Sequence, residues 1–199
     1  MSETESLALL KAKLGYKPLV IDSLKLIQAL GQIPLAITQA AAYISRPARR
    51  MSIAKYLELF RKSKMNQNSL LDKDEGDLRR DLDVLNAIIF TWQISFNQIR
   101  RENPFAADLL SLMSALNRQG ISESFLRGDS DLLAFADALT VLCGFSLIIE
   151  ESRGGYFEMH RLVQLATRKW LNARGEMIKW NQKALIMVSK AFPAGRFEN

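Results

Sequence analysis

The chain has 199 residues, of which 48% are hydrophobic, enough to bury a core in one large domain or two small ones. Cys143 is the only cysteine, which excludes an intramolecular disulfide framework and a thiolate zinc site, so we expect a cytoplasmic protein. The net charge of +6, from 27 basic and 21 acidic residues, is more typical of a solvated surface than of one that binds nucleic acid or membranes.

Residues 1–72 are predicted to form a small helical bundle. Their apolar residues recur at helical spacing up to Gly31, and Pro34 then opens a further helix, because a first helical turn tolerates its ring. Ser52 suits the N-cap of the next helix. The stretch 26–45 has no charge and is long enough to span a membrane, but its glutamines and Pro34 favour two buried helices. We therefore expect no membrane association.

A second domain is predicted after a linker. Residues 73–84 are polar and acidic and include Gly76, so they are predicted to form this linker. The range 85–175 is predicted to form the second domain, which begins with a long apolar helix. Asn103 then caps the next helix and Pro104 opens it.

The later part of this domain contains the predicted β-structure. A short connector around Ile121 leads to a helix that Asp131 caps, and Cys143 in this helix is expected to be a small buried apolar residue. Two short β-leaning runs separated by the turn residues SRGG then predict a β-hairpin, and a helix follows it. The predicted fold class is therefore mainly α, with a small helical bundle followed by a winged-helix domain with one β-hairpin.

Residues 176–199 are predicted to form a C-terminal helix. Its apolar residues, among them Ile178 and Leu185, need a partner surface. The first helix of a repeat array has this character, because one repeat cannot bury its own apolar face. TPR repeats are one hypothesis, although the sequence shows no period of about 34 residues.

No catalytic motif occurs in the sequence. It lacks the phosphate-binding loop GxxxxGK[ST], the GxGxxG and GxSxG patterns and the HExxH metal pair. We expect neither catalysis nor a metal site in this chain.

His160 is the only histidine, and it stands between a predicted strand and a predicted helix. One interpretation is a structural histidine whose ring is satisfied by a backbone carbonyl. The other is a phosphate contact, in which the imidazole N–H donates to an anion and Arg161 adds a fixed charge. The residues alone do not decide between these interpretations.

Several segments resemble parts of the NB-ARC module. LGQIPLAITQAAAYI at 30–44 resembles its GLPLA segment, and FEMHRLVQLATRKWL at 157–171 resembles its MHD segment, in the versions carried by fungal NLR-like STAND proteins. Three stretches between them, at 91–99, 106–116 and 142–148, are similar to the winged-helix region of the same proteins. All the segments follow one another in the order of that family.

The resemblance implies two nucleotide-binding residues. In NB-ARC proteins the proline of the GLPLA segment packs near the adenine, and the histidine of the MHD segment reaches the β-phosphate of bound ADP. The matching positions are Pro34 and His160. The sequence departs from the family at Gln32, where a second glycine is frequent, and at Arg161, where the MHD name expects aspartate. The reversed charge leaves a role for His160 better supported than one for Arg161.

The resemblance further implies a non-catalytic regulatory fragment of an NLR-like STAND NTPase switch. Such a fragment would sense ADP in signal transduction of the innate-immunity or heterokaryon-incompatibility type. The nucleotide-binding core that should precede Pro34 is not found in this sequence, so we expect ADP or ATP to bind tightly only to a full-length, ATPase-like parent. That core, C-terminal TPR repeats and other proteins are the expected partners.

Two alternatives come from other functional classes. A winged helix with a net positive charge suits a DNA-binding protein, but the helix that starts after Asp131 offers acids and no basic residue for base edges, so we expect no DNA partner. The second alternative is a protein-interaction adaptor that docks through the helix around Trp180.

Overall fold

A computed structural model of the protein describes residues 1–16, 18–46, 51–71 and 79–191, and their side chains except those of 64–71 and 79–85. These residues form helices and one small antiparallel sheet, which confirms the prediction of a mainly α fold with a β-hairpin. They divide into two compact units. The first comprises residues 1–98 with 144–146, and the second comprises residues 99–143 with those from Leu147 onward.

The linker predicted at 73–84 lies partly outside the described residues, which exclude 72–78. Residues 79–84 belong to a long helix that begins at Arg79. The division into domains at 1–72, 85–175 and 176–199 stays a prediction.

The described part of the first unit is built from helices. They are α1 (Glu3–Leu14), α2 (Val20–Ala29), α3 (Pro34–Ile44), α4 (Ile53–Leu71) and most of α5 (Arg79–Glu102). Ser2 starts α1 with a capping box, in which its hydroxyl accepts from the Glu5 N–H at 3.2 Å and the Glu5 carboxylate accepts from the Ser2 N–H at 2.7 Å. The Ser52 hydroxyl accepts from the Lys55 N–H at 3.2 Å, which confirms Ser52 as the cap of α4.

Helix α3 packs at the centre of the first unit. Its residues Ala36, Ile37 and Ala40 are fully buried, and its small side chains allow neighbouring helices to approach closely. Gln39 is also fully buried, and its Oε1 accepts from the Thr91 hydroxyl of α5 at 3.1 Å. The bond satisfies the amide oxygen of Gln39, which would otherwise lose its hydration at a cost in stability. One face of α3 therefore holds the bundle together.

The second unit combines helices with the sheet. Its elements are α6 (Pro104–Ala115), β1 (Ile121–Ser122), α7 (Glu123–Arg127), α8 (Leu132–Gly144), β2 (Ile148–Glu150), β3 (Tyr156–Met159), α9 (Arg161–Ala173) and α10 (Met177–Ala191). The last residue of α8, Gly144, is counted with the first unit. The strand order is β1-β3-β2, and both pairs are antiparallel. Strand β3 is therefore central, and its end leads directly into α9.

Among the side-chain caps of this unit are those of Asn103 and Asp131. The Asn103 side chain accepts from the Ala106 N–H at 2.9 Å, and Pro104 occupies the first helical turn of α6. The Asp131 carboxylate accepts from the Ala134 N–H at 2.9 Å at the start of α8. Both caps were predicted and are confirmed. The expectation of a buried Cys143 is wrong, because α8 buries the neighbouring Leu142 and the next residue points about 100° away, into solvent.

Helix α10 finds a partner surface within the second unit. Trp180 is 2% exposed and forms a core cluster with Leu112 of α6, Leu171 of α9 and Ala184. On its outer side, Ile178 and Leu185 remain exposed. One face of α10 is thus packed, as an amphipathic helix requires, and the other is not.

Two further properties concern the described residues as a whole. None of their helices combines the length and the apolar character needed to cross a bilayer. They also contain no group of three or more histidine, cysteine or acidic side chains placed to hold a metal ion.

Candidate functional site

The two residues that the resemblance singles out each start a helix. Pro34 starts α3 in the first unit, and His160 precedes α9 in the second. Each position is set by its local sequence.

The backbone before Pro34 reverses direction in two left-handed residues. The Gly31 N–H donates to the Gln28 carbonyl at 3.0 Å, and the Gln32 N–H donates to the Ile27 carbonyl at 2.9 Å. These two bonds form a Schellman motif, which satisfies carbonyls at the end of α2. The φ angles of Gly31 and Gln32 are 62° and 56°. Such angles suit glycine, which gives a physical reason for the second glycine that is frequent at the position of Gln32.

Pro34 itself is exposed. It occupies the first turn of α3, where its missing N–H removes no helical hydrogen bond, and its fixed φ suits the helix. The buried face of α3 begins with Ala36 and Ile37. The ring of Pro34 is therefore not part of the core of the first unit and presents a rigid apolar surface to solvent.

His160 caps α9 with its own ring. The residue has φ −59° and ψ 137°, and its Nδ1 accepts from the Leu162 N–H at 3.1 Å. Because Nδ1 accepts this bond, the neutral ring carries its proton on Nε2. The backbone partner of the ring is thus the N–H of Leu162 in α9. It is not a carbonyl, the partner expected for a purely structural histidine. Nε2–H remains a donor on an exposed side chain.

Charged neighbours surround His160. Arg118 Nη1 lies 3.0 Å from Glu158 Oε1, and Gln119 Nε2 donates to the same oxygen at 3.1 Å. The Met159 N–H donates to the Arg118 carbonyl at 2.8 Å, which holds this loop against the end of β3. Partial burial lowers the pKa of His160, the charge of Arg118 lowers it further, and Glu158 acts in the opposite direction. These effects together favour the neutral form of the ring.

This arrangement suits an anion. The N-terminus of α9 carries partial positive charge, and the exposed side chain of Arg161 lies beside it. His160 adds a neutral donor, and Arg118 adds a cation whose charge is partly balanced by Glu158. The geometry thus provides hydrogen-bond donors and positive charge at the start of α9.

Sequence reasoning missed Arg118 and Glu158. Glu158 and His160 are two residues apart at the end of a strand, so the alternation of a β-strand places both on the face opposite the buried Phe157 and Met159. The alternation of the strand could therefore have predicted from the sequence that Glu158 lies on the same face as His160. No local pattern marks Arg118, which lies 40 positions from Glu158.

Comparison with known proteins finds a relative that is much longer than this chain. It is 37% identical over 208 aligned residues to a "Nucleotide-binding leucine-rich repeat (NLR)-like protein" of Hyaloscypha variabilis (strain UAMH 11265 / GT02V1 / F). The chain is related to an NLR-like protein. The alignment covers all of this chain and 20% of that relative, so the chain spans about a fifth of the length of the curated relative it matches.

A family model covers part of the second unit. The family is described as a domain of unknown function, DUF7779, and it matches residues 97–175. This range contains His160, Arg118 and Glu158 but not Pro34, whereas the alignment with the NLR-like protein contains all four. The predicted NLR-like relationship is confirmed.

Proposed function

We propose that the chain is the ADP-sensing, non-catalytic part of an NLR-like STAND switch that acts in the cytoplasm. In this proposal the first unit is the ARC-type bundle that carries Pro34, and the second is the winged helix that carries His160. Exchange of ADP for ATP in the complete protein would change their arrangement and so transmit a signal. The NLR-like relative supports one part of this proposal, that the chain is related to an NLR-like protein.

The observation that carries the proposal is the Nε2–H of His160 at the start of α9. A ring whose Nδ1 is occupied by the Leu162 amide has only Nε2 left to offer, and that nitrogen is a donor. Phosphate oxygens accept from such donors at helix N-termini. A lowered pKa does not remove this ability, because the neutral imidazole still donates through Nε2.

The element order of the second unit supports the winged-helix part. Helix α6, strand β1, helices α7 and α8 and the β2–β3 hairpin follow one another, with β3 in the middle of the sheet. This is the succession expected of a winged helix. Its second long helix, α8, exposes Leu132, Leu133 and Asp137 and carries no basic residue. DNA binding through α8 is therefore disfavoured, since phosphates require basic or neutral polar donors.

The single histidine makes a direct test possible. We expect millimolar ADP to shift the imidazole signals of His160 in a ¹H–¹⁵N NMR spectrum of this chain, whereas adenosine leaves them unchanged. Isothermal titration should show no tight binding, because the chain carries no phosphate-binding loop of the GxxxxGK[ST] type. In a full-length parent, His160→Ala should weaken ADP binding about tenfold, as expected for the loss of one hydrogen bond to a charged group.

The matched control is Lys169→Gln, which removes an exposed charge from α9 away from its N-terminus. It should leave ADP affinity unchanged. Micromolar binding of ADP by this chain alone would contradict the view that the nucleotide-binding core is required. Equal His160 shifts with adenosine and ADP would refute the phosphate contact.

A further inference from the structure

A cavity of about 440 Å³ lies in the second unit between α6, α10 and the segment 124–130. Neither His160 nor Arg118 lines it, so it is separate from the candidate nucleotide contact. Its volume falls within the range of small-molecule sites. The cavity has two chemically different parts, an apolar floor and a charged rim.

The floor is formed mainly by α6. Leu109 and Leu112 are buried, while Phe105 and Met187 are only half-buried and so keep apolar surface in contact with water. Covering that surface with an apolar group is favourable by roughly 25 cal/mol per Å². The floor therefore suits the hydrocarbon or aromatic body of a ligand.

The rim carries positive charge. Lys183 and Lys190 are seven positions apart on α10, two helical turns, and so project from the same face. Arg127, from the last turn of α7, adds a third cation. None of the three forms an ion pair within the described part of the chain. The ammonium of Lys183 also lies 5.3 Å from the centroid of the Trp180 ring.

Two acids also line the cavity, Asp108 and Asp129. With three bases against two acids, the lining retains one net positive charge. Since no described ion pair cancels the lysines of α10, a ligand's negative group gains most beside Lys183 and Lys190. A cationic ligand would meet more bases than acids.

We infer that this cavity binds a small amphipathic anion, with its apolar body on the floor of α6 and its carboxylate or phosphate at Lys183 and Lys190. The inference does not depend on the proposed nucleotide switch. It requires only the second unit, and its failure would leave the role of His160 untouched.

Decanoate is a suitable probe, below its micelle concentration. With ¹³C-methyl methionine labelling, we expect decanoate to shift the methyl signal of Met187, which lines the cavity, and to leave that of Met159, buried at the end of β3, unchanged. The uncharged analogue 1-decanol should bind at least several-fold more weakly. Decyl phosphate, compared with decanoate, identifies which anionic group the site prefers, and binding of either supports the inference.

The decisive variant is Lys183→Gln combined with Lys190→Gln. It should weaken decanoate binding about tenfold, since two partly screened charge contacts are lost. The matched control is Lys169→Gln combined with Lys179→Gln, which removes the same charge from α9 and α10 outside the cavity lining. Equal affinities of the two double variants, 1-decanol binding as tightly as decanoate, or shifts confined to other methionines would each overturn the inference.

Discussion

Helices α3 and α9 both begin where the NLR-like resemblance points to the nucleotide, but they begin in different ways. No side chain caps α3, and its start depends on the left-handed backbone of Gly31 and Gln32. Helix α9 is capped by the ring of His160. At α3 the turn of the backbone at Gly31 and Gln32 sets where the helix starts, and Pro34 is the first residue of that helix. At α9 the candidate side chain also stabilises the helix, so the proposed nucleotide contact would be coupled to the stability of α9.

The largest effect that tests this contrast is expected at Gly31. Gly31→Ala forces a side chain into a φ of 62°, and its Cβ would meet Ile33 Cδ1 at 3.4 Å. We expect the free energy of unfolding to fall by about 1–2 kcal/mol, measured by urea denaturation. Gly144→Ala is the control, because Gly144 lies in α8 without a positive φ and nothing lies within 4 Å of its added Cβ. Equal destabilisation by both substitutions would show that the turn before α3 does not depend on glycine.

A smaller effect is expected at the cap of α9. His160→Ala leaves the Leu162 N–H without its partner, and we expect a loss of about 1 kcal/mol in unfolding free energy. His160→Asn should retain most of the stability, because a short amide side chain also caps helices. In the full-length parent, however, Asn should not restore ADP affinity, since it does not place a donor where Nε2 lies.

The pair of variants separates the two roles of His160. If Asn destabilises as much as Ala, the ring does not act as a cap of the kind that the structure shows. If Asn restores both stability and ADP affinity, the phosphate contact is not specific to imidazole. Thermal unfolding of this chain provides the first measurement, and nucleotide titration of the parent provides the second.

Much of the fold was predictable where single residues act locally. Asn103 and Asp131 start their helices through caps that their side chains can form with the next turn, and Pro34 starts α3 through its fixed φ. The hairpin was also predictable, because its two runs are separated by turn residues. Strand β1 was missed, and Ile121 was assigned to a connector, because a strand of two residues is too short to show alternation.

Features that depend on distant contacts were not predictable. Arg118 reaches Glu158 across 40 positions, and only the folded sheet brings its loop to the end of β3. The resemblance noted Gln32 as a departure, but only the φ of 56° explains why glycine suits that position. Pro34 and His160 themselves stay predictions as nucleotide contacts, suggested by the family motifs.

The opposite change at the start of α3 should stabilise the chain. Gln32→Gly removes the strain of a non-glycine residue at positive φ, but it also increases the entropy of the unfolded chain. We expect a net gain of about 0.5 kcal/mol in unfolding free energy by urea denaturation. Thr38→Gly, at a helical position of α3, is the control and should destabilise. A loss of stability in Gln32→Gly would mean that the Gln32 side chain contributes more than the strain costs.

The smallest effect is the dependence of the α9 cap on pH. A protonated imidazole has no acceptor at Nδ1, so protonation breaks the bond from the Leu162 N–H. The pKa of His160 in the folded chain is lowered by burial and by Arg118. The unfolded chain therefore binds the proton first as the pH falls, and the stability present above pH about 6.5 is lost as the pH falls through the folded value. No comparable change should occur at α3, whose start contains no titratable group.

The lone imidazole allows this to be measured by NMR titration of the folded chain. Arg118→Gln should raise the pKa of His160, because it removes a nearby positive charge, and Glu158→Gln should lower it, because it removes a negative one. Urea denaturation of His160→Asn should show a weaker pH dependence between pH 7.5 and 5.5 than the unmodified chain. A pKa that stays unchanged in both charge variants would mean that the loop of Arg118 does not lie against β3 as described. A shift of the predicted sign in only one of them would identify which partner acts on the ring, and so whether the cap of α9 responds to the cation or to the carboxylate.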